Sequence, residues 1–314
     1  MYQRRLRDPS GPWTRDPILG GYRFTNTYRA ADRVSQYLIS DVQYRPDRPS
    51  SIEEIFFRTL LFKIFNKIET WELLERATGP IEWARSDLNA IEATLDRALG
   101  SGQRIYSAAY IMPAPKFGRE RKHSNHLALI RSMMQEKLPQ ALADARTLKG
   151  AYERLLTSPG LGPFLAFQYT IDLNYSPVLD FEEDDFVVAG PGALDGISKC
   201  FSDTRGASAE EIIQEMVRSQ DEQFRRLGLN FDGLFGRKLQ PIDCQNVFCE
   251  VSKYARAAFP DVDGVSGRKR IKQSFTRPLG SLPLPFFPPK WRLKIELSGA
   301  PAPDSIPKTQ GALF

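Results

Sequence analysis

The chain has 314 residues, with 43 Lys+Arg against 38 Asp+Glu and a formal charge of +5. A hydrophobic content of 41% and an aromatic content of 11% suit one large or two ordinary globular domains and exclude a disordered chain. The longest apolar run, Ile52 to Phe65, is broken by Glu53, Glu54, Arg58 and Lys63, so no membrane span of roughly 18–20 apolar residues is expected.

Three cysteines and two histidines are too few for a disulfide framework or a four-ligand zinc site. No metal and no cofactor is expected. No GxxxxGK[ST] sequence is present, which excludes a P-loop among these residues.

From the N-terminus, residues 1–20 read as a basic extension. MYQRRLRDPSGPW has no apolar stretch behind its charges, so it is not a secretory signal and a cytoplasmic location is expected. The spacing of Tyr28, Ala31, Val34, Tyr37 and Leu38 predicts a helix over Thr25 to Ile39. That helix would bring Asn26, Arg29 and Arg33 near one face with Asp32 alongside. Ser50 or Ser51, followed by Glu53 and Glu54, predicts a capped helix start running to about Asn66. Arg58, Phe62, Lys63 and Asn66 recur along it at similar spacing. Further helices are predicted over 86–99, 125–137 and 138–156, with His123 and His126 in a basic loop and helix start.

The segment Leu155-Leu156-Thr157-Ser158-Pro159-Gly160-Leu161-Gly162-Pro163-Phe164-Leu165-Ala166 predicts a helix end, a Gly-x-Gly turn and a new helix with proline first. Such a turn presents backbone N–H groups to a phosphate, and glycine permits the close approach. It resembles the helix-hairpin-helix of DNA repair proteins, whose glycosylases place a catalytic aspartate about twenty residues further on. Here that offset falls in the run from Asp180 to Asp185. Asp184 and Asp185 are the candidate catalytic carboxylates, able to stabilise a developing sugar cation and direct water. Gln168, Tyr169 and Asp172 follow the hairpin and are candidate pocket residues. Phe164 stands where bifunctional members of that superfamily carry a Schiff-base lysine, so no lyase activity is expected by that route.

Short strands are predicted at 186–188 and 292–297, and helices at 209–227 and 241–258. Between Gly264 and Lys294 lie eight basic residues and no acidic one, leaving the rest of the +5 chain at −3. Within that arm Arg268, Lys269, Arg270 and Lys272 form a run suited to phosphates. Prolines from Pro278 onward prevent a helix there, and Phe286, Phe287 and Trp291 predict that the arm packs back on the body. The expected organisation is a helical domain over 21–262 with the hairpin at 155–166, a basic arm over 263–297 and a mobile tail over 298–314.

Four blocks carry a family resemblance: Phe24-Thr25-Asn26-x-Tyr28-Arg29-Ala30-x-Asp32-Arg33, Gly162-Pro163-Phe164-Leu165-Ala166-x-Gln168, Val188-Ala189-Gly190-Pro191-Gly192-Ala193 and Cys249-Glu250-x-x-Lys253-Tyr254-x-Arg256. They resemble the helical, DNA-glycosylase-like proteins of pyrimidine hypermodification named alpha-glutamyl/putrescinyl thymine pyrophosphorylases. A similar helical domain accompanies phage 5-hydroxymethyluracil DNA kinases. The resemblance implies a mainly α, helix-hairpin-helix glycosylase-like fold with a Pro-rich C-terminal arm. It also implies a flipped target base entering a pocket in duplex DNA.

Two activities follow from it. The first expectation is a monofunctional, monomeric DNA glycosylase that excises a hypermodified pyrimidine such as glucosylated hydroxymethylcytosine from phage DNA, as antiviral defence. The alternative is a transferase that adds an amine-bearing group to pyrophosphorylated hydroxymethyluracil in DNA. A DNA-binding module without catalysis is a third class. On the glycosylase reading Asp184 or Asp185 is the catalytic carboxylate, and Asn26, Arg29, Asp32, Gln168 and Tyr169 are the candidate base-pocket residues. Gly160, Gly162, Lys253, Arg268, Lys269, Arg270 and Lys272 meet DNA.

Overall fold

A computed structural model of the chain describes residues 1–109, 112–276 and 282–296. The expected mobile tail, and Arg277 of the basic arm, lie outside the described residues. Among the described residues the fold is helical, with isolated bridges but no strand. In chain order the α-helices are α1 (Tyr2–Arg7), α2 (Pro17–Gly21), α3 (Arg33–Tyr37), α4 (Ile52–Phe65), α5 (Ile68–Thr78), α6 (Leu88–Gly100) and α7 (Lys122–Gln135). They continue with α8 (Leu138–Ala143), α9 (Leu148–Leu156), α10 (Pro163–Asn174), α11 (Pro191–Cys200), α12 (Ala209–Arg226) and α13 (Pro241–Ala258). The chain divides into two compact units. One is continuous, Val34–Phe186; the other joins Met1–Arg33 to the described residues from Val187 onward.

The continuous unit is organised around α4. Ser51 caps it by accepting from the Glu54 N–H, Glu53 and Glu54 lie in its first turn, and Asn66 closes it at φ 49°. Nearly every side chain of α4 is buried, as expected of a helix whose apolar residues are spread around its whole circumference. Phe56, Phe57, Leu60, Leu61, Phe62 and Ile64 form the core with Trp71, Phe167 and Tyr175, each burial being worth about 1.5–3 kcal/mol.

Two basic residues of α4 go inside with their partners. Arg58, 1% exposed, donates from Nε to the Val42 carbonyl at 3.0 Å and faces Glu54 at 3.7 Å. Glu54 in turn accepts from the backbone N–H groups of Trp83 and Ala84 at 2.7 and 3.0 Å.

In the discontinuous unit α11 lies against α13 with almost no space between the backbones. A Cβ on Gly192 would stand 2.7 Å from Cys249 Sγ, and one on Gly196 would overlap the Phe248 carbonyl. Small residues at i and i+4 therefore set the distance between the two helices. The amphipathic α12 starts from a capping box between Ser208 and Glu211, and also contacts α13. The arm returns to this unit: Phe287 is buried, stacks on Trp291 and meets Phe235, while the Arg237 guanidinium covers the Trp291 ring at 3.7 Å.

Four predicted elements are corrected. Thr25 to Ile39 is not one helix: residues 23–28 are irregular, Arg29–Ala31 is a 3₁₀ turn, and α3 runs on into a π-helical segment, Leu38–Gln43. The cause is competition for the backbone from side chains, one local and the others distant in sequence. Asn26 Oδ1 accepts from the Tyr28 N–H at 3.1 Å, and side chains of α13 engage the Thr25 and Arg29 N–H groups and the Thr27 carbonyl. The predicted 138–156 helix is broken before Thr147, which caps α9 by accepting from the Gly150 N–H at 3.0 Å. Residues 186–188 and 292–296 are irregular, not strands. Helices α1, α2, α5 and α11 were not predicted.

Candidate functional site

In the continuous unit, α9 and α10 flank a turn over residues 157–162. Gly160 holds φ +81°, and a Cβ there would press on Pro115 at 3.0 Å, so the position requires glycine. Gly162 precedes α10 in an extended conformation without a side-chain cap, and Pro163 begins the helix. This leaves the first amide groups of α10 to partners other than a capping side chain.

The acidic run that follows is held by Asn174, whose amide accepts from the Phe181 N–H and donates to the Phe181 carbonyl, both at 2.9 Å. Asp184 and Asp185, the sequence candidates, are exposed, as is Glu182. The buried carboxylate of the run is Glu183, 3% exposed and 3.4 Å from the Asn174 amide. Gln168 and Tyr169 are buried on α10, where the Tyr169 hydroxyl donates to Met112 Sδ at 3.3 Å. Beneath them Asp172 meets Lys63 of α4 at 3.2 Å, and the Lys63 ammonium donates to Asn66 Oδ1 at 2.8 Å.

His126 lies in the first turns of α7, as the predicted helix start requires, and is buried inside this unit. It bridges the Tyr106 hydroxyl at 2.7 Å and the Pro113 carbonyl at 2.9 Å. Burial, assisted by Lys122, lowers its pKa to about 4 despite the Pro113 carbonyl. The neutral ring therefore donates from Nε2 to Pro113 and accepts at Nδ1 from Tyr106.

In the discontinuous unit, three of the four blocks that carry the family resemblance fold against one another. Thr25 N–H donates to Glu250 at 3.1 Å, Lys253 donates to the Arg23 carbonyl at 3.3 Å, and Gly190 N–H donates to Gln245 at 3.2 Å. Asp243, part of the capping box of α13, accepts from the Arg29 N–H at 2.8 Å and the Gln240 N–H at 3.0 Å. Its desolvation outweighs these bonds and raises its pKa to about 6. Asn26 and Arg29 thus belong to a strap along α13 and not to a helical face. Asp32 closes the 3₁₀ turn through its N–H to Arg29 at 3.1 Å. Lys253, expected at DNA, pairs with Glu250 at 2.6 Å and lies over the Phe24 ring.

The cationic run is tied at both ends. On one side Asp195, 1% exposed, accepts from the Ser266 N–H at 2.7 Å and from Ser252, with Lys199 at 3.2 Å. Although burial acts against ionisation, these bonds hold its carboxyl well below the usual carboxylate range. Gly264 passes so close that a Cβ would meet Asp195 and Lys199. On the other side residues 273 and 275 bond to the backbone of Arg23 and Gly21, each at 3.0 Å. Arg268, Lys269, Arg270 and Lys272 between these anchors are exposed, with Lys269 paired to Asp263.

Sequence reasoning missed Asp195 and Asp243. The signals were the Gly192-x₃-Gly196 spacing beside Asp195 and the Gln240-x-x-Asp243 helix start.

Comparison with known proteins gives the family. The model described as "5-hmdU DNA kinase, helical domain" matches residues 1–264. A 5-hmdU DNA kinase of Bacillus phage SP10 is 26% identical over 272 residues, covering 81% of this chain and 42% of that relative. The chain therefore spans about two fifths of the relative's length. No solved structure matches.

These matches correct the primary functional expectation. Both matched descriptions name a DNA-base kinase and neither a base-excising enzyme, so the DNA glycosylase reading and its hydrolytic mechanism are withdrawn. The placement of Asp184 and Asp185 agrees with that correction, because both lack the shelter that an oxocarbenium-stabilising carboxylate uses.

Proposed function

The chain belongs to the 5-hmdU DNA kinase helical-domain family, and on that premise we propose that it is a DNA-binding transferase of base hypermodification. It acts on the 5-substituent of hydroxymethyluracil in DNA and leaves the glycosidic bond intact. The observation that carries this reading is the family match across residues 1–264, combined with the absence of any GxxxxGK[ST] sequence from these residues. Recognition and group transfer are then the work of this helical part, without a nucleotide-cradling loop of its own.

The chemistry starts from a pyrophosphorylated 5-hydroxymethyl group. An amine attacks the 5-methylene carbon, a C–N bond forms, the C–O bond breaks, and pyrophosphate leaves with the electron pair. The attacking amine gives its proton to a base. Asp184 and Asp185, exposed beyond the Asn174-held turn, are suited to attract a cationic amine and accept that proton. The tethered run from Arg268 to Lys272 supplies counter-charge to DNA phosphates, and the Gly160–Gly162 turn is a second backbone contact. DNA within a cell or virion-producing host is the expected partner, and no helix among the described residues is long and apolar enough to cross a membrane.

The test uses DNA containing thymine, hydroxymethyluracil, or its phosphorylated and pyrophosphorylated forms, with polyamine or amino-acid donors. Nucleosides are then digested and weighed by mass spectrometry. The expected result is consumption of the pyrophosphorylated nucleoside, release of pyrophosphate and a heavier base still on its sugar. ATP-dependent gain of phosphate on hydroxymethyluracil DNA by this chain alone would replace amine transfer with phosphoryl transfer. Equal binding to all four DNAs with no product would overturn the reading.

A further inference from the structure

A cluster on α6 and α7, outside every feature used above, has the donor chemistry of a metal centre. Glu92 and Asp96 stand four residues apart on α6, so both project from one face, and His123 enters from the first turn of α7. Their donor atoms all lie within 4.8 Å of one another.

The second observation is His123 itself. It is 1% exposed, yet its Nε2 has no hydrogen-bond partner, although Asp96 Oδ1 lies only 3.0 Å away. That Oδ1 also has no hydrogen bond. An approach this close without hydrogen-bond alignment means that the imidazole nitrogen does not point at the oxygen. Two donors each about 2.1 Å from a common cation and about 90° apart stand about 3.0 Å from each other. A buried ring nitrogen without a bond, beside two acids, is therefore placed as a ligand would be.

We propose that Glu92, Asp96 and His123 hold a divalent first-row cation, of the Mn²⁺ or Zn²⁺ type, with coordination positions left open. Imidazole favours zinc and its neighbours, carboxylates suit manganese, and three protein donors leave room for water or a phosphate oxygen. The Asp96 side chain is 39% exposed although its Oδ1 is buried, so the cluster lies at the edge of the protein, within reach of solvent. Arg121 is the competitor. Its guanidinium lies 3.1 Å from the same Asp96 Oδ1, but its side chain is 55% exposed and free to swing away. The scarcity of cysteine and histidine had suggested no metal; one histidine suffices when carboxylates supply the other donors. This site does not depend on the group-transfer reading.

The experiment is a titration of the full chain with Mn²⁺ followed by electron paramagnetic resonance, with Zn²⁺ added as competitor and by calorimetry. Circular dichroism melts check that each variant is folded. The expected result is one Mn²⁺ per chain, displaced by Zn²⁺. Affinity should fall at least tenfold in Asp96→Asn and in Glu92→Gln, and rise severalfold in Arg121→Ala, where the competing cation is gone. If Asp96 serves only as an ion-pair partner of Arg121 and His123, the wild type leaves the free Mn²⁺ signal unchanged and shows no Zn²⁺ heat. That result would overturn the proposal, as would an affinity unaffected by both carboxylate variants.

Discussion

In the continuous unit, Lys63 and Asp172 meet between α4 and α10 at 3% and 0% side-chain exposure, sealed away from solvent. In the discontinuous unit, Asp195 is equally buried, but its bonds reach outward to Ser266 and fix the start of an exposed cationic run. The first arrangement spends charge on internal specificity, because a buried ion pair seldom adds net stability over an apolar pair. The second uses a buried carboxylate as an anchor for surface loops that would otherwise have no core of their own. The same side-chain chemistry thus organises an interior in one unit and a surface in the other.

The largest test of this contrast removes one partner of the sealed pair. Asp172→Leu leaves Lys63 buried opposite an apolar side chain and is expected to cost about 3–5 kcal/mol in urea unfolding. The double variant Lys63→Met/Asp172→Leu should recover most of it.

Next comes pH, because the two units carry opposite responses over one window. His126 has a lowered pKa, to about 4. The unfolded chain therefore takes up its proton first, and stability is lost as pH falls from about 6.5 towards 4, by about 3 kcal/mol. Asp243 has a raised pKa, to about 6. Its contribution is full below about 4 and is lost as pH rises through 6, again by about 3 kcal/mol. The two nearly offset each other in the wild type. His126→Phe should make stability rise on acidification relative to wild type, and Asp243→Asn should make it fall, both read from unfolding midpoints at pH 4 to 7.

A smaller effect is expected at the helix contact of the discontinuous unit. Gly196→Ala forces a methyl group into the Phe248 carbonyl and should destabilise by about 2 kcal/mol, within the range for overpacking, measured as a lowered melting temperature. Gly162→Ala, whose Cβ meets nothing within 4 Å, is the matched control and should melt like the wild type.

Smallest in free energy, and confined to binding, is loss of surface charge. Replacing Arg268, Arg270 and Lys272 with alanine should flatten the slope of log K against log salt by about 2–3 and weaken DNA binding about tenfold at physiological salt. Anisotropy titrations at several salt concentrations read both. Asp195→Asn should give part of that loss with all the basic residues still in place, as expected if the anchor positions the run.

The helical class and several helix ends were legible because their determinants are local. Ser51 capping α4, Ser208 opening α12 and Pro241 opening α13 each act on backbone within one turn. The Gly-x-Gly turn was legible for the same reason: Gly160 needs a positive φ whatever lies around it. The Thr25 to Ile39 stretch failed because its apolar spacing is helical while its hydrogen-bonding groups are claimed by Glu250, Asp243 and Asn246, more than two hundred residues away. Three of the four family blocks are neighbours in the fold, which their order along the chain did not show. Charge alone could not separate the exposed Asp184 and Asp185 from the buried Glu183 beside them.

What the sequence determined by itself was therefore the helical composition, the turn chemistry, the cationic run and the family, all written in short-range spacing or in ordered motif blocks. Only the tertiary structure decided which charges are sealed, which anchor a loop and which face water. It also decided that Glu92, Asp96 and His123 converge. Burial and convergence depend on which helices pack together, and packing brings together residues whose separation along the chain carries no signal of their contact.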